Sequence, residues 1–144
     1  ININPAGERA QIMRIIDPEN LERLRRSRVI FAPKGSVQIR GEAGDQFTIK
    51  FAIPKGIGQV EKAVFSFQVR DLDGEQPGEE AKLRIAGQEI DLPPTGNGIT
   101  APMEFPIDVS KIKPGTFPVV FILSGRPEGT TGYDVIGARL TLAK

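Results

Sequence analysis

The chain has 144 residues, the size of one ordinary domain with a single core. With 39% hydrophobic and 26% charged residues it is globular, which excludes a disordered chain. A formal charge of +1 excludes a global field toward nucleic acid or anionic membrane, and the absence of Cys excludes disulfides and thiolate metal sites.

No run of residues reaches the roughly eighteen apolar positions a membrane-crossing helix needs, and no signal-like start is present. The first residue is Ile1 and not Met, which points to a processed product or a piece of a longer protein.

In chain order, residues 10–16 (AQIMRII) read as a strand or a loop packed by its Ile and Met side chains. Asp17, Pro18 and Glu19 then form a helix start: Asp17 caps free amides, Pro18 has the required φ, and Glu19 suits the positive end of the dipole. A helix of about two turns is expected to end near Ser27. From Val29 the period becomes two and the punctuation becomes Gly and Pro. Strands are predicted over 28–31, 36–40, 46–53, 63–70, 81–85, 88–92, 103–109, 116–124 and 135–142.

The alternation assigns faces. Ala63, Phe65, Phe67 and Val69 share one side of their strand and are expected in the core. Phe47, Ile49, Phe51, Ile53, Leu140 and Leu142 are expected there too, as are Val119, Phe121 and Leu123. Val120 and Ile122 make their strand apolar on both faces and are candidates for an exposed contact surface.

The second half then resembles the closing strands of galactose-binding-domain-like jelly rolls, over about residues 45–144. The matching features are Asp71 and Asp73 in an acidic loop, a turn at Ala86-Gly87, a turn at Ile112-Lys113-Pro114-Gly115, and a closing strand at 135–142. In that family the position of Ala86 usually carries Asn. The resemblance implies an all-β jelly-roll sandwich; with the short N-terminal helix read from Asp17 to Ser27, residues 1–28 are expected to form a segment packed on the domain of 29–144. It also implies an occasional structural calcium.

Three candidate sites follow. Seven acids (Asp71, Asp73, Glu75, Glu79, Glu80, Glu89, Asp91) face three bases (Arg70, Lys82, Arg84) between Arg70 and Asp91. The favoured reading is a solvated hairpin loop, and calcium held by Asp71 and Asp73 is the second. The EF-hand spacing is not met. Arg126, Tyr133 and Asp134 flank a polar, Gly-rich loop; the favoured reading is a surface loop whose Tyr133 packs over the sheet edge, and the second makes the three the candidate ligand-binding residues at a rim. Arg23, Arg25, Arg26 and Arg28 read as a solvated helix end, because no aromatic residue interleaves with them. Catalysis is disfavoured: without His or Cys the commonest general base, the nucleophile pairs and the usual zinc ligands are all missing.

The sequence therefore predicts no enzyme but an interaction or assembly module of a larger secreted, periplasmic or cell-surface protein, with a carbohydrate-binding accessory module as the alternative. Expected partners are a protein or a polysaccharide, without nucleic acid and without membrane insertion.

Overall fold

The computed structural model describes residues 2–3, 27–31, 35–126 and 132–143. The predicted helix and Arg23, Arg25 and Arg26 lie outside these residues, while Ser27 and Arg28 open a strand.

Among the described residues there are ten strands: β1 Asn2–Ile3, β2 Ser27–Phe31, β3 Ser36–Ile39, β4 Gln46–Ile53, β5 Lys62–Arg70, β6 Ala81–Ile85, β7 Gln88–Asp91, β8 Thr100–Ile107, β9 Gly115–Leu123 and β10 Tyr133–Ala143. One sheet has the order β1-β10-β5-β8, with β3 also on β10; the other is β2-β4-β9-β6-β7. Strands β3 to β10 pair in nested fashion, β3 with β10, β4 with β9, β5 with β8 and β6 with β7, all antiparallel. A long hairpin wrapped around a barrel-like core gives this nesting, so the fold is a jelly-roll β-sandwich. It is the strand order that the resemblance implies. Strand β2 adds to the edge of β4 in parallel.

The burial pattern of β5, alternating between exposed or half-buried and buried, is the expected two-residue period. Phe65, on β5, meets Phe51 of the opposite sheet edge-on at 5.9 Å and Phe121 at 6.2 Å. Phe67 meets Phe121 at 5.2 Å with an interplanar angle of 84°. These contacts lock the two sheets face to face, and edge-to-face geometry suits the ring quadrupoles. Every residue predicted for the core is buried.

Two expectations change. The acidic segment after β5 is not a hairpin: β5 and β6 belong to different sheets, so residues 71–80 cross between them. Val120 and Ile122 are not an exposed pair, since Ile122 is buried and Val120 half-buried.

Candidate functional site

A groove of about 400 Å³ crosses the outer face of the β10-β5-β8 sheet, lined by Ser66, Gln68, Glu104, Ile136 and Arg139 among others. Its residues fall into two cross-strand rows. Arg139, Ser66 and Glu104 are direct partners across the three strands, and so are Ile136, Gln68 and Pro102. Neighbouring strands lie about 4.8 Å apart, so Arg139 and Glu104 stand about 10 Å apart at the backbone, with the Ser66 hydroxyl between them.

The placement of Arg139 depends on an irregularity. Tyr133 and Val135 face the core at odd positions of β10, whereas Ala138, Leu140 and Leu142 face it at even ones. A β-bulge between Ile136 and Arg139 inserts the residue that reconciles the two halves. Gly137 adopts φ 64 there, and its amide donates to the carbonyl of Gly35 at 3.1 Å. Without the bulge, Arg139 would point into the sandwich.

The two outer faces treat their charges differently. On the β4-β9-β6-β7 sheet, Arg84 lies opposite Glu89 at 3.4 Å, and Lys82 reaches Glu89 at 3.7 Å and Asp91 at 3.8 Å. In the groove, Ser66, Gln68, Glu104 and Arg139 make no side-chain hydrogen bond or ion pair among the described residues. Four polar groups thus line the groove on three hydrogen-bonded strands.

The loops at one end of the sandwich behave in the opposite way, using their carboxylates on their own backbone. Asp71 Oδ1 accepts from the Gly98 amide at 2.7 Å, Glu80 Oε1 accepts from Asp73 N at 2.7 Å, and Glu79 Oε2 accepts from the amides of Glu75 and Gln76. Those two amides hold Glu79 below its ordinary pKa. Desolvation, and then the nearby Asp71 carboxylate, raise that of Asp73. Among the described residues no three His, Cys, Asp or Glu side chains gather in a metal-holding group. Asp71 and Asp73 fall short of the six to eight oxygens calcium takes, and Asp71 already accepts a backbone amide. The residues present do not make a calcium cage.

The predicted ligand trio does not converge. Tyr133 is fully buried, and its hydroxyl donates to the carbonyl of Ile122 at 2.9 Å. Burial, reinforced by Glu80, pushes its pKa well above the ordinary value. Asp134, the next residue, faces outward, as alternation requires, and accepts from Arg40 Nη2 at 2.9 Å. Arg126 is exposed beyond the end of β9. A ring buried in the core cannot stack on a sugar, so Tyr133 leaves the candidate site. Residues 127–131 of that loop lie outside the described ones.

Sequence reasoning missed Ser66, Gln68, Glu104 and Arg139. The signal it could have used was Gly137 inside a strand pattern whose apolar parity changes from odd to even.

No family model matches the chain, and no curated protein matches it. Among solved structures it is similar to a family 35 carbohydrate binding module from an environmental isolate, with TM-score 0.43 and 13% identity over 98% of this chain and 92% of that one. It is also similar to the CBM36-1 domain of a multidomain xylanase from the hindgut metagenome of Trinervitermes trinervoides, with TM-score 0.31 and 11% identity over 99% and 90%. An exo-β-1,3-galactanase from Phanerochaete chrysosporium, solved with galactose, gives TM-score 0.33 and 12% identity. That match covers 78% of this chain and 30% of the galactanase.

Proposed function

We propose that the protein is a non-catalytic carbohydrate-binding accessory module of a larger exported protein, and that the groove on the β10-β5-β8 face takes the glycan. The observation that carries this reading is the set of Ser66, Gln68, Glu104 and Arg139, unpartnered among the described residues and fixed on three hydrogen-bonded strands. Sugar hydroxyls both donate and accept. Glu104 accepts, Arg139 donates, and Ser66 and Gln68 do both. Ile136 and Pro102 offer apolar surface to the C–H faces of a sugar ring. The volume falls within the roughly 300–1,000 Å³ of small-ligand sites.

Hydrolysis is a poor fit, because a glycosidase uses two carboxyls across the scissile bond and Glu104 is the one acid among the lining residues.

The assembly reading finds little support at the apolar pair it named and at the β8 edge. The apolar pair it needed, Val120 and Ile122, is not exposed. Strand addition at β8 is obstructed: Pro102 lies opposite Gln68 and Pro106 opposite Val64. Proline cannot donate to the ladder, so both occupy positions whose backbone faces the open edge, where two amides are then missing.

A glycan array followed by calorimetric titration tests the proposal, with Gln68→Ala and Glu104→Ala as variants. The proposal expects at least one glycan to bind, and both variants to weaken it about tenfold or more while the melting midpoint holds. An array with no binder, or variants that bind like the parent, would overturn it.

A further inference from the structure

Two arginines stand along this face with no ion pair or side-chain hydrogen bond among the described residues, and Lys62 at the other end of β5 is a third exposed cation. One arginine is Arg139. The other is Arg70 at the end of β5, directly opposite Asp134. Asp134 is already engaged by Arg40, whose Nη1 also donates to the Tyr133 carbonyl at 2.8 Å. Arg40 binds Oδ1 of Asp134, and Arg70 makes no ion pair or side-chain hydrogen bond among the described residues. Between the two arginines run Ser66 and Gln68, and from Ser66 to Arg70 the strand rises about 13 Å. The single acid of the groove, Glu104, lies on the far strand.

We infer that the groove selects glycans carrying an anionic substituent, a carboxylate or a sulfate, with the anion on the β10 side against Arg139 and the sugar hydroxyls on the β8 side against Glu104. This rests on the groove being the glycan site. A guanidinium pairs with a planar or tetrahedral oxyanion through parallel, charge-assisted N–H donors, roughly twice as strong as the bonds it gives the neutral hydroxyls of a sugar. Glu104 fixes the orientation, since an anion turned toward β8 would meet a like charge. A chain long enough to reach Arg70 places a second anion on a second guanidinium, so oligomers gain over monosaccharides.

The test uses matched pairs that differ only in charge: galacturonate oligomers against their methyl esters, and a sulfated galactan against its desulfated form. Titrations are run on the parent chain, Arg139→Gln and Arg70→Gln. At least one anionic member is expected to bind about tenfold tighter than its neutral mate. That ratio is expected to shrink at high salt and to fall toward one in Arg139→Gln, whose exposed side chain leaves the melting midpoint unchanged. Equal binding within both pairs, or a preference that survives both substitutions, overturns the inference while the glycan reading stands. No binding by any member, neutral ones included, together with an empty array, overturns both.

Discussion

Arg139 stands directly opposite Ser66 on the outer face of the sheet, although strict alternation from Val135 would turn its side chain into the core. The bulge at Gly137 makes the difference, and it rests on a left-handed backbone conformation. A Cβ at Gly137 meets nothing within 4 Å, so Gly137→Ala carries only the cost of its φ, about 1–2 kcal/mol. Chemical denaturation is expected to read that loss, and glycan titration a weaker groove. Unchanged stability would mean that the bulge rearranges without penalty.

The turn at Ala86-Gly87 gives a second prediction. Both residues have positive φ, 50 and 78, and they join β6 to β7 as a two-residue hairpin. This is the type I′ geometry that favours Asn-Gly. Ala86→Asn is therefore expected to raise stability by about 0.5–1 kcal/mol, read from the denaturation midpoint. A loss would show that Ala86, packed against the core, matters more than its backbone angle.

Tyr133 is the only tyrosine, which makes its titration readable by absorbance. With a raised folded pKa the native state keeps the phenol proton while the unfolded chain loses it near pH 10, so stability falls as pH rises beyond that point. Tyrosinate is expected to appear only together with unfolding. Tyr133→Phe removes the hydrogen bond to the Ile122 carbonyl, which should cost about 0.5–1.5 kcal/mol, and should leave glycan affinity unchanged. Tyrosinate in the intact fold would contradict the burial.

At acid pH the sign reverses. Glu79 and Asp108 have lowered pKa values because backbone amides, of Glu75 and Gln76 and of Ser110, bond their charged forms. Each contributes stability above its unfolded value, lost as pH falls through its folded one. Asp73, raised by desolvation, acts against them weakly. The melting midpoint is expected to drop below about pH 4, and less steeply in Glu79→Gln, which starts lower. A midpoint flat through this range would show that these bonds add nothing.

Calcium can be tested in the same melts. Because Asp71 holds the Gly98 amide, Asp71→Ala is expected to lower the midpoint equally with calcium and with chelator. A calcium-dependent rise in the parent that Asp73→Asn removes would instead establish an ion at this loop.

The fold was legible because its core strands alternate cleanly: the predicted 46–53 and 81–85 match β4 and β6 to the residue. Strand β8 starts at Thr100, before the predicted 103, because Pro102 reads as a strand breaker and yet is tolerated on an edge. Tyr133 was misread because the polar run 125–132 hid the start of β10, and the bulge hid its parity. The site was not legible. Ser66, Glu104 and Arg139 are ordinary polar residues far apart in sequence, and only the nested pairing of strands brings them into one row.

The most direct measurement is a backbone amide shift map of the labelled chain titrated with the best binder from the glycan array. Binding in the groove predicts that the largest shifts fall on residues 66–68, 102–104 and 136–139. Shifts confined to the loop end, over 40–45, 71–80 and 92–99, would contradict it.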